Sequence, residues 1–303
     1  MVEGIRSIWA SYPDRAGIAI ARADGSWMIE HRGGELMPQQ SVSKLWVAIT
    51  LMEGVDQGRY RLSDQVTVRK ADIVVFSSAM AGLVGETGFE TSLGALLKRA
   101  MTVSDNTAND FLMRHVGGPQ AVRAMLSSKG LGAIRFGPGE NLLQAGTAGL
   151  PWREEYREGK KFQAARALLS DETRRKAMDA YLASPPDGAA PLAIARALLR
   201  LKLGELLSPD STLHLLSLME ASETGKQRLK AGVPFGWTFA HKTGTGQDFQ
   251  GRTAGYNDVS LMTAPDGTSY AVVVMIADTV RPVPERMQMM QGVSATVGAN
   301  HRR

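Results

Sequence analysis

Cysteine is absent from all 303 residues, which excludes disulfides, thiolate metal sites and a cysteine nucleophile together. Its absence does not fix a compartment, because a cysteine-free chain folds in oxidising and reducing surroundings alike. Histidine is scarce: the five present show no metal-ligand spacing, so no metal, no other cofactor and no zinc chemistry is expected. No stretch reaches the ~20 consecutive apolar residues a membrane helix needs, so no membrane partner is expected either. Met1-Val2-Glu3-Gly4 has neither the basic start nor the apolar run of a signal peptide. Lys and Arg form no block interleaved with aromatics, and nucleic acid is not expected as a partner.

What is present is ordinary for a globular chain, with 44% hydrophobic and 21% charged residues. The net charge of +5 describes a mildly basic surface suited to anionic small molecules.

Periodicity gives the elements. Ile5 to Trp9 has helical spacing, Ala16 to Ala21 is a short apolar strand, and Ala23-Asp24-Gly25 turns into Trp27-Met28-Ile29. From Ser41 to about Gly58 the pattern is helical, with Leu45, Ala48, Ile49 and Met52 on one face. Residues 92–114 and 119–130 read as two further helices, and 191–203 and 209–221 as two more. Strands follow at 236–241, 258–263 and 269–276, then a helix at 283–297.

Strands at both ends with helices between them predict an α/β (α+β) fold: an antiparallel sheet flanked by helices, plus an all-helical lobe. The expected division is 1–38 with 212–303 for the sheet part and 39–211 for the helical part. A helical insertion occupies about 146–186.

Three motifs carry chemistry. In Ser41-Val42-Ser43-Lys44, a helix starting at Ser41 puts Lys44 on the same face, within reach of the hydroxyl proton. The helix start also offers N–H groups to a developing oxyanion. Alone, the pattern also fits a helix cap with a surface lysine. Ser104-Asp105-Asn106 precedes an apolar helix and equally suits an N-cap. Lys242-Thr243-Gly244-Thr245-Gly246 ends a strand read as Trp237 to Ala240. There a lysine beside a glycine allows close approach of a carboxylate. The bland alternative is an edge-strand lysine followed by a flexible turn.

In this order the three motifs are the signature set of class A β-lactamases and penicillin-binding proteins, and the chain resembles class A β-lactamases along nearly its whole length. Asp72 to Ser77 is similar to the segment that sets an aromatic, here Phe76, at the mouth of the site. His241 through Thr253-Ala254 and Asn257-Asp258 resembles the branch with an extended loop after the lysine strand. Glu140-Asn141-Leu142-Leu143-Gln144, beginning 36 residues after Ser104, matches the Ω-loop motif whose carboxylate and amide hold the deacylating water.

The resemblance implies Ser41 as nucleophile and Lys44, or Glu140 through a water, as the acylation base. Ser104 would relay a proton to the lactam nitrogen, with Lys242 lowering the cost of that transfer, and Glu140 would direct water at the acyl-enzyme. Asn106 would hold the substrate's side-chain amide, and Lys242, Thr243 and Thr245 its ring carboxylate, with Gly244 beside them. The N–H groups of Ser41 and Thr245 would form the oxyanion hole. Burial and the proximity of Lys242 would make Lys44 easier to deprotonate.

The implied partner is a β-lactam, the implied state a monomer, and the implied location periplasmic or secreted. A D-alanyl peptidase, an esterase and a catalytically dead interaction protein remain the rivals.

The sequence departs from the family pattern in several places. Gln144 stands where the family has asparagine, one methylene longer. Between Gln144 and Pro191 lie some thirty residues beyond the family's short loop, read as a solvated helical decoration, with a lid or a dimer contact as the sharper alternative. Ser170-Asp171-Glu172 reads as a capped helix start within it. Asp187 matches the acid at the neck of the Ω-loop, with Arg135 as a possible partner. Neither Arg252 nor Tyr256 is a clear match for the family's carboxylate-binding arginine. His241 should point away from Lys242 by strand alternation and serve packing.

Overall fold

The computed structural model describes residues 1–12 and 14–301. Its frame is one antiparallel sheet of five strands: β1 Arg15–Arg22, β2 Met28–His31, β3 Thr238–Thr245, β4 Tyr256–Thr263 and β5 Ser269–Asp278, in the spatial order β2-β1-β5-β4-β3. Strand period explains how one sheet is buried on both faces. In β5 the side chains of Val272, Val274 and Ile276 join Ile18 and Ile20 in one core, while Ala271, Val273 and Met275 join Ala19 in the other.

Helices Val2–Ala10 and Val283–Ala299 cover the first face, and Pro191–Lys202 lies on the second. The last observation blurs the division expected at residue 211, because a helix assigned to the helical part packs directly on β1 and β5.

Helix Lys44–Asp56 is the axis of the helical layer. The sequence suggested one apolar face, yet Lys44 through Met52 are all buried. The helix is enclosed by Leu93–Thr102, Asn106–His115, Gly118–Ser128 and Pro209–Glu220, and a helix surrounded by partners needs no polar stripe.

Two other expectations shift. The span 92–114 is two helices, Leu93–Thr102 and Asn106–His115, broken at Val103–Asp105, where Ser104 takes a φ of 59°. The lysine strand runs on to Thr245, because its Thr and Gly residues pair with β4 instead of turning. Among the described residues no helix is long and apolar enough to cross a membrane.

Candidate active site

The nucleophile turn is fixed from below. Ser41 lies in a single 3-10 turn, Gln40–Ser43, that runs into the helix at Lys44. Gln40 has a φ of 53°, a left-handed conformation costing about 1–3 kcal/mol that surrounding bonds must hold. They are present. Gln40 N–H donates to Asp187 Oδ2 at 2.7 Å. The Gln39 amide donates to the carbonyls of Arg135 and Asp187 at 2.8 and 2.6 Å, and its oxygen accepts from Trp46 Nε1. From β4, Asn257 Nδ2 donates to the carbonyls of Pro38 and Gln39. The sheet thus grips the two residues before the turn.

Asp187 is the buried anchor of this arrangement, and burial pushes its carboxyl up to about 6. Its side-chain partner is not Arg135, which is exposed, but the Tyr181 hydroxyl, which donates at 3.0 Å and accepts from Gln40 Nε2 at 2.6 Å. Tyr181 comes from helix Asp171–Ala183, inside the insertion.

Above the turn, Lys44 Nζ donates to Ser41 Oγ at 2.6 Å and to Asn106 Oδ1 at 2.7 Å. Burial lowers the Lys44 pKa, opposed by the carboxylates of Glu140, Asp110 and Asp105. Burial, more than the charge of Lys242, is therefore the cause. Asn106 Nδ2 in turn donates to Glu140 Oε1 at 3.0 Å. An unbroken chain of side chains links the hydroxyl to the carboxylate.

Within Ser104-Asp105-Asn106 the roles divide cleanly. Asp105 is the cap, accepting from Ala108 N–H at 3.0 Å and pairing with Arg99, which frees its neighbours. Ser104 Oγ accepts from Lys242 Nζ at 2.8 Å. Lys242 is wholly buried, and burial, reinforced by the charges of Lys44 and Arg228, holds its pKa well below the usual range.

Glu140 is the first residue of helix Glu140–Ala148, so Gln144 lies one turn on and on the same face. Gln144 Nε2 donates to Glu140 Oε1 at 3.0 Å, and Gln144 Oε1 accepts from Gln247 Nε2 at 2.8 Å. The longer side chain is held at both ends. Glu140 N–H donates to Asp110 Oδ2 at 3.0 Å. Asp110, buried beside the Glu140 charge, has its carboxyl pushed up to about 6. Sequence reading did not single out Asp110, since nothing local distinguishes it within an apolar helix.

Along β3, Gly244 lets the strand approach the nucleophile turn. A Cβ there would lie 2.3 Å from Gln39 O and 3.3 Å from Ser41 N. Because β3 is an edge strand and Gly246 N–H donates inward to Gly255 O, alternation turns Thr245 N–H outward, to the side of Ser41. Thr243 and Thr245 share the other face, where Thr243 Oγ1 meets Thr224 Oγ1 at 2.7 Å and Thr245 Oγ1 accepts from Arg228 Nη2 at 2.5 Å.

Arg228 was missed in the sequence. It lies on a loop and reaches the site only by crossing to the carbonyls of Gly244 and Asn257 and lying 3.8 Å from the Tyr256 ring centroid. Tyr256 therefore serves as its platform, and Arg252 is engaged elsewhere, with Asp278 and Asp179. His241 is buried against Asp258 at 2.8 Å on the face away from Lys242, as alternation implied.

Ser41, Asn106, Glu140, Gln144 and Thr245 line one cleft, with Phe76, 44% exposed, at its wall. The inserted segment is not a solvated decoration. Phe162 is 1% exposed and meets Phe76 edge-on at 5.5 Å, Tyr156 and Met178 are buried, and Arg166 lines the cleft itself. The aromatic residues of the insertion find their partners in the site wall, which a local reading of charge and helical period does not reveal. Among the described residues no cluster of three His, Cys, Asp or Glu could hold a metal.

Residues 1–300 match the Beta-lactamase enzyme family. The chain is 27% identical over 279 residues to the extended-spectrum β-lactamase PER-1 of Pseudomonas aeruginosa, covering 91% of this chain and 79% of that protein. An ancestral class A β-lactamase superposes with a TM-score of 0.76 at 27% identity, covering 99% of each chain. A β-lactamase from Chitinophaga pinensis shares the fold with a TM-score of 0.82 at 23% identity, covering 99% of this chain and 98% of that one. With this fold, this cleft and a match from end to end, the chain belongs to the beta-lactamase enzyme family, on the class A side.

Proposed function

We propose that Ser41 opens the β-lactam ring and that Glu140 directs a water at the resulting ester. The observation that carries this reading is the continuous chain Ser41–Lys44–Asn106–Glu140, with bonds of 2.6, 2.7 and 3.0 Å.

The substrate carboxylate binds beside Thr245 and Arg228, with Lys242 behind them. Lys44, made a weaker acid-holder by burial, accepts the Ser41 proton as Oγ attacks the lactam carbonyl; Glu140 through a water is the other route. Charge developing on the carbonyl oxygen meets the N–H groups of Ser41 and Thr245, each typically worth ~3–4 kcal/mol. The C–N bond breaks, Ser104 hands its proton to the departing nitrogen while the Lys242 ammonium bonded to it steadies the oxygen, and the proton that Lys44 took from Ser41 then passes to Ser104. Asn106 orients the side-chain amide.

Glu140 then takes a proton from water, the hydroxide attacks the ester carbonyl, and the Ser41 oxygen leaves carrying the proton that Glu140 gives back. Gln144, bonded to Glu140 Oε1, leaves Oε2 without a protein donor among the described residues, and Oε2 is the oxygen we assign to the water. We place the enzyme in the periplasm or outside the cell on the family resemblance, where it would protect its host from β-lactam antibiotics.

The test compares a chromogenic cephalosporin, a penicillin and a short-chain nitrophenyl ester. Fast turnover of the β-lactams with return to native mass supports the reading. A lasting penicillin adduct on the unaltered protein supports a peptidase or binder, and preferential ester turnover supports an esterase.

A further inference from the structure

We infer that Arg166, supplied by the insertion, is a second anion-recognising group of the cleft that favours β-lactams whose acyl side chain carries its own carboxylate. The inference rests on the reading of Ser41 as a β-lactam nucleophile.

Helix Lys161–Ala167 is pinned to the site wall by Phe162, which is buried against Phe76 and Tyr156. One turn later the same helix face delivers Arg166. Its Nη1 donates to Gln247 Oε1 at 2.7 Å, and its guanidinium lies 5.8 Å from the Phe76 ring centroid. Among the described residues no other Arg166 N–H has a protein acceptor, and no carboxylate comes within 4 Å of the guanidinium. Partial burial makes its charge costlier, Arg174 adds to that cost and Asp248 opposes it.

A half-buried arginine lining a cleft and making one neutral hydrogen bond keeps a charged fork for a ligand. Carboxylate is its best geometric match. Arg166 and Arg228 meet β3 and its continuation at Gln247 and Thr245, two residues or about 7 Å apart along an extended chain. They enter from different elements. One cation serves the ring carboxylate; the other is left for the opposite, side-chain end of a dianionic substrate. Gln247 also holds Gln144, which holds Glu140, so loss of Arg166 can disturb hydrolysis generally. Only a ratio between matched substrates isolates recognition.

The experiment measures kcat/KM for benzylpenicillin and for its α-carboxy analogue, which differ by one carboxylate, in the parent, Arg166→Gln and Arg166→Lys. The ratio of α-carboxy to unsubstituted substrate should fall about 10-fold in Arg166→Gln and stay within about threefold of the parent in Arg166→Lys. In the parent it should also fall as NaCl rises from about 0.05 to 0.5 M, because the charge is only partly shielded from solvent. A ratio unchanged within about twofold in Arg166→Gln overturns the inference. Should that variant not fold, a parental ratio insensitive to salt overturns it equally. If the parent hydrolyses neither penicillin, the β-lactamase reading itself fails, which is a separate and visible outcome.

Discussion

Replacing Asp110 by Asn should stabilise the protein, and only above the pH at which Asp110 ionises. Asp110 is fully enclosed, with Glu140, Asn109, Lys44 and Arg114 as its polar surroundings, and its carboxyl is pushed from 3.8 to about 6 by burial and then by the Glu140 charge. Between those two values the folded chain holds a proton the unfolded chain has released. Stability therefore falls as pH rises through this window and stays lower above it. About two pKa units correspond to about 3 kcal/mol.

Asn at 110 keeps an oxygen for the Glu140 N–H, which Asp110 now accepts at 3.0 Å; the preference of that bond for the charged carboxylate is already contained in the net shift to about 6. The expected net gain is about 2–3 kcal/mol at pH 8 and close to zero at pH 4. Urea unfolding at both values reads this as a rise in midpoint of roughly 1 M at pH 8 alone. An equal gain at both pH values would mean that packing, not ionisation, is responsible. A loss at pH 8 would refute the reasoning outright. Because the Asp110 charge also raises the Lys44 pKa, the acid limb of the acylation rate should move to lower pH in the variant.

Tyr181→Phe removes the donor to Asp187 and the acceptor of Gln40 Nε2. We expect a loss of about 2–4 kcal/mol, seen as a melting point lower by several degrees; a shift below about 1 °C would show that the insertion does not support the nucleophile turn. Arg228→Gln should lower kcat/KM for a penicillin roughly 10- to 100-fold, chiefly through KM. The methyl ester of that penicillin, lacking the carboxylate, should be affected far less, and equal losses would assign Arg228 a purely structural role.

The residues of the site were legible because their chemistry constrains spacing. Lys44 must follow Ser41 by one helical turn, and Gln144 must follow Glu140 by one turn, so local sequence carries the geometry. The sheet strands were legible as short apolar runs bounded by turns at 16–21 and 269–276, which is how a strand buried on both faces reads. What escaped depends on distant partners. The helix break at Ser104 was half legible: Ser104-Asp105-Asn106 suits an N-cap, yet the flanking helical periods read as one span, and the positive φ of Ser104 makes sense only with the distant bond to Lys242. Arg228, Tyr181 and Arg166 each reach the site across more than fifteen residues of sequence to their partners at Thr245, Gln40 and Gln247. No local pattern marks them, and the insertion's charged surface hides the aromatic face it buries.

The account stands on a division of labour in which Ser41 is acylated and Glu140 releases it. Intact-mass measurement of Glu140→Gln after brief exposure to benzylpenicillin tests this most directly. The prediction is a stoichiometric adduct of the whole penicillin mass, located on the peptide containing Ser41 and decaying at least about 100-fold more slowly than in the parent. An adduct on another residue, or a variant that returns to native mass as fast as the parent, would contradict it.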